Sequence, residues 1–233
     1  MPPPGRPRSF DREAALQAAM LLFWERGYEA TALSDLTKAM GISSPSLYAA
    51  FGSKEALFRE AIALYNSAEE AVGEHSLQKH PTARQAIEAM LRDNADAYVD
   101  PSTPRGCMVV LSATNCGPDN QRVQEFLAEC RESDYRAVHS RLERAVAEGD
   151  VPAGANIAAI ASFYLTVLQG LSIQARDGCS RETAHAIIDC AMVAWPGLVG
   201  ASGSSTLDAG SGEQDVGQAG AARQHGERGH RGR

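Results

Sequence analysis

An all-α fold is predicted for this 233-residue chain, and three features point to it. Ala and Leu, both good helix formers, are abundant. Apolar side chains recur every three or four residues along most of the chain, the period of a helix buried on one face. Val, Ile and Thr do not gather in the alternating runs that a half-buried sheet needs. Apolar residues make up 44% of the sequence, enough for a sizeable core in one large helical body or in a small domain joined to a larger one.

Residues 1–9 are Pro-rich and carry Arg6 and Arg8, so a flexible basic arm is expected. Asp11 is a cap for a first helix, with Phe10 before it as an apolar staple. Leu16, Ala19, Met20 and Phe23 give that helix one buried face, and Gly27 closes it. Thr31 is placed to cap a second helix with Leu33, Leu36 and Met40 inward, followed by a turn at Gly41. Ser43 or Ser44 caps a short third helix that buries Leu47 and ends at Phe51-Gly52. Ser53 starts a fourth, lined by Ala56, Leu57, Ala61, Ile62 and Tyr65 and running to about His75.

After Pro81, Thr82 caps a helix with Ala86, Ile87, Met90, Leu91 and Tyr98 on its apolar face; Pro101 and Pro104 interrupt it. The compact apolar stretch 106–111 fits strand or helix by periodicity alone, and its surroundings favour helix. A long amphipathic helix is expected from about Asp119 to Glu148, with Val123, Phe126, Leu127, Tyr135, Val138, Leu142 and Val146 inward. Asn156 caps the next, which carries Ile160, Phe163, Tyr164, Val167, Leu168 and Leu171 and breaks at Arg176-Asp177-Gly178. Ser180 caps the last, with Ala184, Ile187, Ile188, Ala191, Met192 and Trp195, and Pro196 stops it. From about residue 200 the chain is rich in Gly, Ser and Ala and nearly free of large apolar groups. Such a stretch cannot bury enough surface to offset its entropy, so a disordered, solvated tail over 200–233 is expected.

The formal net charge is −7, yet residues 1–60 hold seven Lys and Arg against seven Asp and Glu, so the whole deficit lies downstream. A neutral module with a few well-placed cations can still meet DNA. The five cysteines, Cys107, Cys116, Cys130, Cys179 and Cys190, have no CxxC spacing. No apolar leader begins the chain and no run approaches the roughly 18 apolar residues of a membrane span. A cytoplasmic protein with reduced thiols is the expectation. No glycine-rich phosphate loop, HExxH or GxSxG occurs, and His75, His80, His139 and His185 are dispersed. Neither an enzyme, nor a metal site, nor a cofactor is expected.

Residues 31–57 read TALSDLTKAMGISSPSLYAAFGSKEAL, a helix, a tight turn at Gly41-Ile42-Ser43 and a short helix. This is helix-turn-helix spacing, in which the second helix enters the major groove. The short helix offers Ser44, Ser46, Ala49 and Ala50 outward. Serine hydroxyls bond either kind of base edge, and alanine methyls suit thymine methyls. Tyr48 can reach a phosphate. Lys54 lies in the first turn of the next helix, where free N–H groups also attract phosphate, and Thr31 sits at the start of the second helix in the same way. A purely structural helical scaffold would not need Tyr48 and Lys54 in this geometry.

Over about residues 10–62 the chain resembles the DNA-binding domain of the TetR/AcrR family of bacterial regulators. Phe10, Gly27-Tyr28, Thr31, Gly41-Ile42-Ser43, Leu47-Tyr48, Phe51 and Ser53-Lys54-Glu55-Ala56-Leu57 carry the resemblance. It implies phosphate contacts from Tyr48 and Lys54 and base-reading positions at Ser44, Pro45, Ser46, Ala49 and Ala50. Many members carry Gly and a basic or aromatic residue where this chain has Pro45 and Ala49, so bulky base readers are missing here. The implied organisation is a helix-turn-helix domain over 10–55, joined by a long helix to a sensor and dimerisation domain over 56–199. The implied function is a homodimeric transcription regulator, by family habit a repressor and alternatively an activator. Its partners would be a near-palindromic double-stranded operator and a small-molecule effector; no membrane is implied.

The same resemblance makes helices over about 156–175 and 180–195 the dimer interface, with Phe163, Val167, Gly170, Ala184, Ile188, Ala191 and Trp195 as candidates. Both segments are apolar on most sides, which calls for more than one neighbour; the alternative is that they are ordinary core helices. The signal pocket is implied among the middle helices. Candidates are Tyr65, Met90, Tyr98, Cys107, Met108, Asn115, Phe126, Tyr135, His139 and Gln169, each of which could equally be core. Cys107, in Pro104-Arg105-Gly106-Cys107-Met108, is expected near a helix start and beside a cation, which would make its thiol reactive. The arrangement is similar to that of TetR-family electrophile and oxidant sensors; the alternative is a small buried filler.

Overall fold

The structure, a computed structural model, describes residues 10–114 and 116–200, and over 68–75 the backbone alone. Among these residues every regular element is helical. The elements are α1 (Arg12–Arg26), α2 (Leu33–Met40), α3 (Ser44–Phe51), α4 (Lys54–Lys79), α5 (Ala83–Tyr98), α6 (Met108–Leu111), α7 (Gln121–Glu148), α8 (Ile157–Arg176), α9 (Arg181–Val193) and α10 (Trp195–Gly200). Arg6 and Arg8, Asn115 and the expected tail beyond Gly200 lie outside the described residues.

Side-chain caps set most helix starts. The Asp11 carboxylate accepts the Glu13 and Ala14 N–H groups at 3.0 and 3.1 Å. Ser43, Ser53, Thr82, Asn156 and Ser180 cap α3, α4, α5, α8 and α9 in the same way. Thr31 departs from its expected role. It is fully buried, and its hydroxyl donates to the Gly27 carbonyl at 2.6 Å; Ala32 is the N-cap of α2 and offers no side-chain bond. Pro196 does not stop the helical path. It sits in the first turn of α10, where its missing N–H is harmless.

The first three helices close over Ala19, Phe23, Leu36, Leu47 and Phe51. The 26-residue α4 continues this core into the rest of the molecule, packing against α1 and α5. Phe58 meets Phe23 and Tyr28 edge-on at 5.1 and 5.0 Å, and Tyr65 meets Trp24 at 4.8 Å. Beyond it, α5, α7, α8 and α9 enclose Ile87, Leu91, Leu142 and Tyr164. A polar lattice joins α5 to α9: Arg92 pairs with Glu88 at 2.8 Å and with Asp189, and His185 bonds Asp96 at 2.8 Å.

Helix α8 and the α9–α10 stretch Arg181–Gly200 are each long and apolar enough to cross a bilayer by length and composition, contrary to the expectation that no run approaches that length. Only 39% and 22% of these stretches is buried within the chain.

Candidate DNA-binding head and sensor cavity

Helix α3 turns Leu47 and Phe51 inward, 0% and 4% exposed. Ser44, Pro45, Tyr48 and Ala49 stand in solvent, while Ser46 and Ala50 are half-covered. The Ser43 and Ser46 hydroxyls are 2.9 Å apart, so the start of α3 is stitched locally. Below the helix, the Arg12 guanidinium lies 4.4 Å from the Phe51 ring centre and pairs with Glu60 at 2.7 Å.

Lys54 opens α4 with its ammonium 4.4 Å over the Tyr28 ring, a cation–π contact that gives the side chain a fixed seat. Burial pushes its pKa down, opposed by the neighbouring Glu29 and Cys116. The tyrosine, the lysine and the open face of α3 thus belong to one small unit, with buried Thr31 behind it.

The C-terminal part of the chain contains a cavity of about 400 Å³ walled by α4, α5, α7, α8 and the α6 region. Of the residues expected there, Met90, Tyr98, Cys107 and Gln169 line it. The other candidates go elsewhere. Met108 is wholly buried and outside the lining. Phe126 lies under the Arg59 guanidinium at 4.4 Å. Tyr135 and His139 face each other on α7 at 5.6 Å, and His139 also meets Glu143 at 3.5 Å. Tyr65 lines a different cleft.

Sequence reasoning missed Asn66, Asn94, Cys130 and Asp134, which line the cavity as well. The signal was present: Val123, Leu127, Cys130, Asp134 and Val138 recur at helical spacing, so Cys130 and Asp134 share the inner face of α7. Burial pushes the Cys130 thiol pKa up, with Asp134 adding to it and Arg131 and a bond to Asn66 opposing.

Cys107 is 5% exposed and is the N-cap of the four-residue α6; its N–H donates to Ser172 Oγ at 2.8 Å. The expected neighbouring cation points away: Arg105 donates to the Ala175 and Cys179 carbonyls at 3.3 and 3.1 Å, capping the end of α8. Cys107 and Cys116 do not share a helix, since α6 ends at Leu111.

The segment around Cys107 is knotted to the head. Gly106 has φ +79°, and a Cβ there would lie 2.6 Å from the Ser172 carbonyl oxygen. The Gly106 carbonyl accepts the Trp24 indole N–H at 2.8 Å. The Tyr28 N–H donates to Ser112 at 2.8 Å, and Glu29 accepts the Gly117 N–H at 3.0 Å. Arg176 reaches from the end of α8 to the Trp24 and Glu25 carbonyls at 2.9 and 3.0 Å.

The expected dimer residues divide. Ala184, Ile188, Ala191 and Trp195 are at most 8% exposed and face the chain's own core, so they are not free surface. Helix α8 is apolar on most sides, whereas α9 carries Arg181, Glu182, His185 and Asp189, and its candidates recur at the spacing of one apolar face, which the fold turns to the chain's own core. Phe163 stands out at 36% exposure, Val167 and Gly170 are half-covered, and Ile173 and Val193, not among the candidates, are 50% and 80% exposed. Among the described residues, no group of three or more His, Cys, Asp or Glu comes together that could hold a metal ion.

Residues 15–61 match the family "Bacterial regulatory proteins, tetR family", and residues 81–188 match "Tetracyclin repressor-like, C-terminal domain". The HTH-type transcriptional repressor ComR of Escherichia coli K12 is 35% identical over 199 residues, covering 84% of this chain and 93% of the relative. The repressor BdcR of the same organism is 34% identical, covering 77% and 86%. Among solved structures, a cysteine mutant of the TetR family regulator CifR, complexed with 26-bp double-strand operator DNA, is 44% identical with a TM-score of 0.80. That match covers 82% of this chain and all of the CifR chain. A regulator from Rhodococcus sp. RHA1 is 36% identical with a TM-score of 0.53, covering 81% and 99%. With both of its halves matched and its helix-turn-helix in place, the chain belongs to the TetR family of bacterial transcriptional regulators and is not an enzyme.

Proposed function

We propose that the protein is a homodimeric cytoplasmic repressor that grips operator DNA with two copies of α3 and lets go when a small molecule or a thiol-reactive compound enters the cavity beside Cys107. The observation that carries this reading is α3 itself. It has a buried side of Leu47 and Phe51 and an open side of Ser44, Pro45, Ser46 and Ala49, small enough to approach base edges. Tyr48 stands 47% exposed at its flank, and Lys54 opens the following helix. These two would contact phosphates on either side of the groove and set the helix in register, as Arg6 and Arg8 would by neighbouring charge. The 44% identical CifR in its complex with a 26-bp duplex supports the assignment.

A dimer is supported by the apolar outer side of α8 and α9. Phe163, Ile173 and Val193 are exposed on helices of which less than half is buried in the single chain. A second copy packed on this face would cover them and present two recognition helices to two half-sites.

Release would work as a shift between two conformations. The cavity wall that holds Cys107 continues into Gly106 and Ser112, which bond Trp24 and Tyr28 of the head. A guest that displaces this wall would tilt the head and misplace α3. A coupling of about 1–3 kcal/mol would change DNA affinity some 5- to 150-fold. Two thiols, Cys107 and Cys130, line this cavity and would be the points of covalent capture, but Arg105 is turned away from Cys107 and burial raises the Cys130 pKa, so reversible binding is the first reading and thiol capture the alternative.

A gel shift with the DNA upstream of the gene, titrated with an electrophile, tests both levels. The parent protein binds and is released, and Cys107→Ser binds and stays bound. Equal release of both would end the thiol mechanism, and no shift at any salt concentration would end the DNA-binding one.

A further inference from the structure

A second cavity lies between the head and the body. It measures about 420 Å³ and is framed by α1, α4, α5 and the loop that follows α5. Its chemistry differs from that of the cavity beside Cys107. Among the described residues, three carboxylates, Glu13, Asp93 and Asp100, reach its lining, and no Lys, Arg or His does. Its remaining wall is mainly apolar and includes Met20, Trp24 and Tyr65. We propose that this cleft is a separate effector site, taking an organic ammonium ion with a bulky apolar body.

Each part of such a guest has a counterpart. Asp100 is held as an anion, since the Ser102 N–H and hydroxyl donate to it at 2.8 and 2.7 Å and depress its pKa. Arg181 of α9 pairs with Asp96 at 3.5 Å and is not part of the lining, but its charge also acts on Asp100 and favours the anion. Asp93 accepts the Ser76 hydroxyl and keeps its second oxygen for a guest. Trp24 and Tyr65 meet edge-to-face at 4.8 Å and give an aromatic surface to a cation and its hydrocarbon body. An anion would meet three like charges, and a neutral guest would gain nothing from them.

The cleft also sits at the joint through which the head is held. Trp24 donates to Gly106, next to Cys107, and receives Arg176 at its carbonyl. Asn94 belongs to the linings of both cavities. A guest touching α1 and α5 together would brace the head against the body, and its binding would be felt across Asn94 at the other cavity.

The probe is adamantylammonium, compared with adamantanol, its neutral analogue. Calorimetry on the unsubstituted protein needs no variant. The cation is expected to bind about fivefold more tightly than the alcohol, a preference in the range of a solvent-accessible cation–π contact assisted by carboxylates. In Trp195→Phe, Trp24 is the sole tryptophan, and its emission should change in proportion to the cation bound. The double variant Asp93→Asn, Asp100→Asn keeps side chains of the same shape and should abolish the preference. No heat and no change in Trp24 emission, equal binding of cation and alcohol, or a preference that survives the double substitution would each overturn the proposal. These readouts need no DNA, so their failure is distinct from a failure of the regulatory reading.

Discussion

The head and the C-terminal body are both helical, but they are held together over different distances along the chain. In the head, the decisive contacts are local: Ser43 caps α3 three residues away, Gly41 turns between two eight-residue helices, and Leu36, Met40, Leu47 and Phe51 meet within a sixteen-residue stretch. In the body, one cavity draws on α4, α5, α7 and α8, from Asn66 to Gln169. The two share the continuous α4 and are further joined by long-range bonds on Trp24, Tyr28, Glu29, Gly106 and Arg176. A locally built head can keep a constant docking geometry, and a body assembled from distant segments can be remodelled by a guest without rewriting it.

Two large substitutions should break the molecule on opposite sides of this divide. Gly106→Ala forces a Cβ to within 2.6 Å of the Ser172 carbonyl at a positive φ. A loss of about 2–5 kcal/mol is expected from strain and overpacking together, read by urea unfolding. Leu47→Ala should cost a similar ~2–5 kcal/mol through the cavity it leaves, with DNA binding lost well before the body's helicity. Loss of head and body together in both variants would deny that they differ.

Body stability should also carry an alkaline limb. Burial raises the Tyr164 pKa from 10.0 to about 12, and its hydroxyl donates to the Ala191 carbonyl. The unfolded chain therefore releases this proton first, so the contribution is complete below pH 10 and is lost as pH rises toward 12. The loss should reach roughly 2 kcal/mol, and Tyr164→Phe should flatten that limb in a pH series of melts. A limb unchanged in the variant would place the titration elsewhere.

Lys54→Ala should weaken DNA binding about tenfold and lower the salt slope by about 0.9 for each phosphate contact removed, with the melting curve little altered. The smallest effect belongs to the joint. Arg176→Met removes two bonds to the end of α1 and should leave basal DNA affinity near parental. Signal-driven release should be blunted by about 0.5–2 kcal/mol, measured as the ratio of affinities with and without the effector.

The same contrast explains what was legible in the sequence. Caps, turns and helical spacing act over three to seven residues, so Ser43, Ser53, Leu47 and the long α4 could all be read directly. Thr31 was misjudged because its position suits a cap, while the fold instead buries it and bonds it to Gly27. Ala184, Ile188, Ala191 and Trp195 recur at one helical phase, but spacing does not say whether such a face meets the chain's own core or a second copy, and the fold gives it to the core. The cavity needed Asn66 and Asn94 brought beside Cys107 and Cys130 by packing, and only the α7 members left a periodic trace. Arg105 sits two residues from Cys107 yet serves the end of α8, a matter of direction that spacing does not encode.

The most direct measurement is a hydroxyl-radical footprint on the upstream DNA, with parent and Lys54→Ala run side by side. The account predicts two symmetric protected patches on the duplex, spaced by about one helical turn or a multiple of it and both faded in the variant. A single patch, or two that persist unchanged without Lys54, would contradict a pair of α3 helices seated in the groove and held there by the phosphates.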